Sequence, residues 1–440
     1  MESSPPPIKK IGLWTSTSLV IGNMIGAGVF LMPSALASYG GISLIGWIFS
    51  AGGAIFLALL FGMLSKMMPA GDGGPYAYTK KGFGDFPGFL VAWGYLISTL
   101  ATNATIAVSF VGAMSLFVPI LGTSAIAAVV TALSSIWLLT WINTLGIRAG
   151  GKVQVITTAL KLAPLFIIAF GGLFFINLDY FHPFNLSGLS SFEAITATAA
   201  MTLFAFLGVE CATIPSKAVE NPEKTIPRAT MIGTLITTVV YIFGTLSVLG
   251  AVPPSELQTS LTPFADAAAI MFGESSKYWV GAGVAISAFG ALNGWILVQG
   301  QIPYAIAKDK LFPSIFAKEN KRGAPASGII ISSLFVSFLV GMNYTKGLVE
   351  QFEFLVLLTT TTVLVPYLFS AGSLIILYAE RKVLNTKGWI NTIFIGLGAF
   401  SFSLWAIAGT GQESVFWGFL LLLAGIPFYI WVIINQNKKN

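Results

Sequence analysis

Charged residues are scarce in this chain: 9% of its 440 residues are Asp, Glu, Lys or Arg, against 55% that are hydrophobic. Soluble domains carry about 25% charged residues, so a water-soluble globule is excluded and a polytopic membrane protein is implied. Cysteine is nearly absent. Cys211 stands alone, which rules out an internal disulfide. His182 is the single histidine, so no histidine metal cluster can form. Its place beside Pro183 in a predicted outer loop reads as that of an ordinary solvated residue. No metal and no cofactor are expected. Polar stretches long enough to fold as a soluble domain are missing, and so is the ten-residue alternation of a porin-type barrel. Met1–Lys10 runs into the first apolar segment without a small-residue cleavage site, so no removable signal peptide is expected.

What the chain does contain is about twelve apolar segments of roughly 20 residues, each enough to cross a hydrocarbon layer of ~30 Å. The first covers 12–37, the fifth 154–175, the sixth 192–219 and the tenth 350–379; the ninth, 327–342, is the shortest. The expected fold class is therefore an all-α membrane protein. With the N-terminus placed in the cytoplasm, all but three of the 23 basic residues fall in cytoplasmic segments. The exceptions are Lys277 and Lys346 in outer loops and Lys161 inside a span. The positive-inside rule then puts both termini in the cytoplasm. The formal charge of +6 follows from this topology and does not mark a nucleic-acid partner.

Two short stretches mirror each other. Gly26-Ala27-Gly28-Val29-Phe30-Leu31-Met32-Pro33-Ser34 lies in the first segment, and Gly208-Val209-Glu210-Cys211-Ala212-Thr213-Ile214-Pro215-Ser216 in the sixth. Glycine and proline both disfavour a continuous helix. In lipid, an opened backbone needs new partners because bulk water is not there to supply them. Broken helices at matching places in two halves point to a carrier's binding site. Among 47 glycines and 21 prolines such a pattern can also arise by chance. The matched positions favour the functional reading. The expected organisation is a cytoplasmic tail over 1–11 and a first repeat of five helices over 12–175. A second, inverted repeat of five follows over 192–379, then helices eleven and twelve with a short cytoplasmic tail over 380–440. Helices one and six are discontinuous.

The cytoplasmic loop Met68–Asp85 holds Pro69-Ala70-Gly71-Asp72-Gly73-Gly74-Pro75-Tyr76-Ala77-Tyr78, whose glycines and prolines specify turns. It lacks the lysine-serine pair of a nucleotide cradle, and no other ATP motif is present. Only Lys161 and Glu210 are charged deep inside spans. Lys161 lies about nine residues into its segment, roughly 13 Å along a helix and near mid-depth. A charge there costs about 2.5–3.5 kcal/mol to insert and is read first as functional.

The stretch Gly22-Asn23-Met24-Ile25-Gly26-Ala27-Gly28-Val29-Phe30 resembles the first-helix signature of the amino acid–polyamine–organocation superfamily. Pro69 through Tyr78 resembles that family's second loop, and Phe206-Leu207-Gly208-Val209-Glu210 its sixth-helix break. The likeness runs from about Gly12 to the last span. Within the superfamily it is nearest the basic amino acid/polyamine antiporters of the arginine/agmatine type. The resemblance implies the ten-helix inverted-repeat core found in the leucine transporter. It also implies a small-molecule amino acid or amine as substrate.

The break of the first helix, with Met24, Ala27 and Gly28, offers free N–H groups at a helix start to a carboxylate. Phe206, Leu207 and Gly208 leave carbonyls for an ammonium. Ala27 departs from the serine of arginine/agmatine antiporters. By resemblance the side-chain pocket comprises Ser98, Thr99, Asn103, Ile106, Phe204, Trp295 and Thr359. Trp295 would stack on the aliphatic stem, and Asn103 would meet the cationic end. Phe204 holds a gating position occupied by tryptophan in the antiporter. Tyr95, Tyr367 and Glu210 are expected as gates on the inner and outer sides of the site. For the threonine run 359–362, helix–helix hydrogen bonding is the other reading. Lys161 departs from the antiporter, which is neutral there, and resembles superfamily members whose fifth-helix lysine replaces a sodium ion. It would bridge the first break to the fifth helix, either carrying a proton or serving as a tether.

The expected activity is alternating-access exchange of a basic amino acid for its amine or another amino acid. Proton-coupled import of neutral or broad-range amino acids is the alternative, favoured by Lys161, Ala27 and Phe204. An enzyme is not expected, since no nucleophile motif or carboxylate cluster is present. The surroundings expected are a bacterial inner membrane; protons as coupling partners and a homodimer are left open.

Overall fold

The computed structural model describes residues 12–26, 28–69, 74–145, 160–213, 216, 219–342, 347–380 and 386–437. Among the described residues, helices are joined by turns and short loops. Among them ten helical spans, two of them interrupted, are long and apolar enough to cross a membrane. Two further apolar helices complete the expected series. The fifth segment appears as α7, Leu160–Phe175, and its earlier residues from 154 lie outside the described set. The ninth, α12 (Ala326–Met342), has 17 residues, about 26 Å at 1.5 Å per residue.

The first segment is two helices, α1 (Leu13–Met24) and α2 (Gly28–Ala37). Ile25 leaves the helical region at φ −74°, ψ 73°. The Gly26 N–H turns back to the Met24 carbonyl at 2.7 Å, so the helical ladder ends there. The break thus falls at the glycine end of the mirrored motif. Pro33 does not interrupt anything: it sits inside α2, fully packed. The sixth segment opens on a capping box, with Ser190 and Glu193 exchanging side-chain and backbone hydrogen bonds at the start of α8 (Ser191–Leu203). This satisfies N–H groups that a helix start otherwise leaves orphaned. The helix tightens over Phe204–Phe206, and Leu207 is extended at ψ 133°. Gly208 then takes φ +107°, a conformation that glycine alone adopts without strain. Past the break the described residues form one tight turn, Cys211–Thr213; Pro215 lies outside the described residues.

The two breaks pack on each other. A Cβ placed on Gly208 would lie 3.1 Å from the Asn23 Cβ and 3.3 Å from the Met24 nitrogen, so the glycine lets two opened backbones touch. Around this crossing stand α3 (Ser43–Met67), α5 (Asp85–Ser115), α6 (Ala125–Thr144), α9 (Pro222–Ala251), α11 (Glu274–Lys308) and α13 (Leu348–Ala379). Helix α5 packs along α11 and α13, α9 along α1 and α3, and the short α10 (Pro263–Phe272) against α11. Helix α14 (Thr386–Gly409) lies against α13, followed by α15 (Gln412–Leu423) and α16 (Gly425–Asn437). The loop after α3 contains more than turns: Pro75–Phe83 is a helix, α4, with proline at its start, where the missing N–H costs nothing. Helix α4 is clasped to the end of α11. Lys80 Nζ lies 2.8 Å from Asp309 Oδ2, and the Tyr76 hydroxyl donates to the same oxygen at 2.6 Å. Burial pushes the Asp309 carboxyl up, but the bonds from Lys80 and Tyr76 outweigh it and leave it below its usual range. His182 is exposed, as an ordinary solvated residue would be.

Candidate substrate site at the two helix breaks

Opening α1 frees main-chain carbonyls in the middle of the bundle, and three are taken up by side chains from other helices. The Lys161 ammonium on α7 donates to the Gly22 carbonyl at 2.5 Å and to the Ile25 carbonyl at 2.6 Å. The Tyr241 hydroxyl on α9 donates to the Met24 carbonyl at 2.5 Å. Lys161 is 1% exposed, so it does not reach water by snorkelling. Hydrogen bonds to charged groups contribute about 1.5–3 kcal/mol each, and here they replace helix bonds that the break has removed. Sequence reading found Lys161 as a misplaced charge. It missed Tyr241, because a tyrosine in a span carries no such signal.

The sixth-helix break is held by an anion. Glu210, fully buried, accepts from the Tyr95 hydroxyl at 2.5 Å and from the Tyr367 hydroxyl at 2.7 Å. Its second oxygen also accepts from the Gly208 N–H at 3.3 Å. The two tyrosines come from α5 and α13, so one carboxylate ties three elements together. Tyr95, Tyr367 and Glu210, named together from the sequence, meet in one cluster. Both tyrosines converge on the same carboxylate, on the side of the break away from α8.

Between the breaks lies a narrow cavity of about 10 Å³, room for about one water, lined by Asn23, Met24, Gly26, Gly28, Thr102, Ile106, Phe204, Ala205, Leu207 and Trp295. Six of the residues singled out from the sequence meet there: Met24, Gly28, Ile106, Phe204, Leu207 and Trp295. The Phe204 ring lies directly over the start of α2, since a Cβ on Gly28 would come within 2.2 Å of it. Its other side meets Phe352 edge-on at 6.4 Å between ring centres. Ala27 lies outside the described residues. Ser98, Thr99, Asn103, Gly208 and Thr359 do not line the cavity. Thr99 turns its hydroxyl onto the Tyr95 carbonyl at 2.8 Å. Asn23, Gly26, Thr102 and Ala205 went unnamed as site residues, although Asn23 and Gly26 stand in the first-helix motif. A larger hollow of about 210 Å³ lies elsewhere, where α5 leads into α6. It contains none of the chemistry described here.

Two of the side chains singled out from the sequence carry a buried oxygen with no hydrogen-bond partner among the described residues: Asn103 Oδ1 and Thr359 Oγ1. Burying a polar atom unpaired costs about 1–3 kcal/mol. The threonine run shows how selective this is. Thr360, Thr361 and Thr362 each donate to the carbonyl four residues earlier at 2.9 Å. Thr361 also reaches Thr410 at 2.7 Å, a contact between helical segments. Thr359 alone of the four is unpaired. The described residues contain no cluster of three or more His, Cys, Asp or Glu that could hold a metal ion.

An all-helical bundle whose first and sixth spans are interrupted at one crossing, beside a cavity, defines a membrane carrier. The chain belongs to the amino acid permease family, whose sequence profile matches residues 11–434. It is 34% identical to the putrescine transporter PotE of Haemophilus influenzae over 435 residues, 98% of each chain. It is 32% identical to the putrescine transporter PotE of Escherichia coli K12 over 98% of each chain. The arginine/ornithine antiporter of Pseudomonas aeruginosa is 30% identical over 95% of this chain and 89% of its own.

Proposed function

We propose that this protein exchanges a basic amino acid for its amine, or for another amino acid, by alternating access at the crossing of the two breaks. The observation that carries the reading is the cavity between α2 and the end of α8, lined by main chain from both breaks and walled by Trp295 and Phe204. The start of α2 presents N–H groups that have no helical partner and the positive end of its dipole, which suits a carboxylate. Gly28 lets a ligand approach that backbone. Ala27 would stand at this helix start without a hydroxyl to add. The Trp295 face suits an aliphatic stem ending in a cation. Asn103 Oδ1 and Thr359 Oγ1 are acceptors waiting for a donor. With Glu210 engaged by two tyrosines, no free carboxylate lines the cavity. The ligand cation is then met by neutral acceptors and an aromatic face, which hold it weakly enough to release it. The names of the relatives, putrescine transporters and arginine/ornithine antiporters, fall in this same chemical class.

In this scheme Phe204 closes one side of the cavity, and the Tyr95–Glu210–Tyr367 cluster closes the other. Residues 12–175 and 192–379 act as the inverted halves that rock against each other. Both termini face the cytoplasm of a bacterial inner membrane. The substrates are small amino acids and amines, the bilayer is the only other environment required, and a homodimer is compatible with these assignments. A second reading, proton-coupled import, rests on Lys161: an ammonium buried among carbonyls is costly to keep charged. In proteoliposomes, a radiolabelled panel of arginine, lysine, ornithine, agmatine, putrescine and neutral amino acids separates the two. Uptake of basic members that requires internal amino acid supports exchange. Uptake into empty vesicles under a pH gradient, with neutral members preferred, supports symport.

A further inference from the structure

The orientation of the Asn103 amide is set by a chain of contacts behind it. Asn103 Nδ2 donates to Gln299 Oε1 at 2.8 Å. Gln299, fully buried on α11, uses its own Nε2 to donate to Ser333 Oγ at 2.8 Å and to the Ile329 carbonyl at 3.4 Å. The Thr140 hydroxyl pairs with Ser333 Oγ at 2.6 Å. Amide oxygen and nitrogen can exchange places by a half-turn of the side chain, so the polarity of such a chain needs an anchor. The Ile329 carbonyl is that anchor, because a main-chain oxygen only accepts. Turning the Gln299 amide over would set two carbonyl oxygens face to face. Close packing keeps the anchor in reach: a Cβ on Gly300 would lie 2.3 Å from the Ile329 side chain, and one on Gly328 would lie 3.0 Å from the Gly300 carbonyl. Small residues that bring two helices together are a recurrent device in membranes.

We propose that Gln299 is the positioning residue that holds Asn103 with its carbonyl oxygen free, so that the far end of the substrate must be a hydrogen-bond donor. The consequence is a preference for amines and guanidines over substrates ending in an acceptor. Thr102 and Ile106, beside Asn103 on α5, and Trp295, one turn before Gln299 on α11, line the cavity. The locked amide therefore adjoins its wall. Asn103 Oδ1 is the one end of the chain left unpaired. Gln299 does not itself touch the substrate; it acts through Asn103. The inference deepens the exchange reading and rests on it.

The test uses the full-length protein in proteoliposomes loaded with ornithine. Labelled putrescine exchange is measured for wild type, Gln299→Leu, Gln299→Glu and Ser333→Ala. Gln299→Leu frees the Asn103 amide to turn over. Its KM for putrescine is expected to rise about tenfold, with the maximal rate within about twofold of wild type and inhibition by glutamine unweakened. Gln299→Glu keeps an acceptor facing Asn103 but sets its second oxygen against the Ile329 carbonyl, so its rise in KM is expected to fall between wild type and Gln299→Leu. Ser333→Ala, which removes one of the two groups that hold the Gln299 amide, gives a smaller rise than Gln299→Leu and decides the matter if that variant does not fold. Unchanged KM in the folded variants, or an equal fall in rate for every substrate with KM unmoved, overturns the proposal while leaving exchange intact. A wild type that carries neither ornithine nor putrescine overturns the exchange reading, and the proposal with it.

Discussion

The two helix breaks solve one problem with opposite charges. At the first, opened carbonyls are met by a cation and a hydroxyl, Lys161 and Tyr241. At the sixth, a carboxylate meets an N–H and two hydroxyls: Glu210 with Gly208, Tyr95 and Tyr367. An interrupted helix offers carbonyls at one end and N–H groups at the other, so each break can be pinned from either side. Pinning the first by its carbonyls leaves the N–H end of α2 to face the cavity. Pinning the sixth through Glu210 ties the break to α5 and α13. The first clamp ties the broken end of α1 to α7 and α9, and the second ties the sixth break to α5 and α13.

The comparison is broken most severely at Lys161. Replacing it by alanine leaves two buried carbonyls without a donor, each costing about 1–3 kcal/mol. Transport should be lost and the thermal midpoint in detergent should fall. Lys161→Gln retains donors but cannot titrate. If it restores exchange with the pH profile of wild type, the residue is a tether; if exchange returns with a flat profile, it carries a proton. Wild-type behaviour of Lys161→Ala would sink the idea that the first break needs a cation.

At the sixth break, Glu210→Gln keeps the shape but removes the charge that both tyrosines address. The expected outcome is slowed exchange, by about tenfold or more if two charge-assisted bonds are weakened, with little loss of substrate affinity. Exchange rates equal to wild type at every pH would show that the coupling of α5 and α13 through Glu210 is not needed. Gly208→Ala sharpens the point about contact between the breaks. It combines a positive φ with a Cβ 3.1 Å from Asn23, and should destabilise the protein by about 1–3 kcal/mol. A variant as stable as wild type would mean that the two backbones can part without cost.

The smallest effect is expected away from both breaks, at the clasp between α4 and α11. The Asp309 carboxyl is held below its usual range. Its contribution is therefore complete above the unfolded value of about 3.9 and is lost as pH falls through the lower, folded value. Exchange between pH 5 and 8 should not depend on it. Exposed pairs contribute about 1 kcal/mol or less, so Asp309→Asn should change the exchange rate by no more than about fivefold. A larger change, or one that titrates near neutrality, would make the clasp part of the gating machinery.

Much of this was legible in the sequence because lipid leaves few options. The scarcity of charge, the lengths of the apolar runs and the paired glycine motifs led to the helical bundle and to both interruptions. Lys161 and Glu210 stood out because a charge in a span is expensive. What stayed hidden was the role of neutral residues. Tyr241 and Gln299 look like ordinary span residues until the helices are packed, and Pro33 looked like a breaker but fits within α2. Helix α4 was concealed by the glycines and prolines around it. Neutral side chains acquire their partners only through tertiary contact, so spacing along the chain carries little trace of them.

The central claim is tested most directly by counterflow. Proteoliposomes containing the purified protein are loaded with unlabelled ornithine, or left empty, and labelled putrescine uptake is followed with no pH gradient. The account predicts transient accumulation of label in the loaded vesicles and none above background in the empty ones. Equal uptake in both, or label entering only when a pH gradient is imposed, would contradict it.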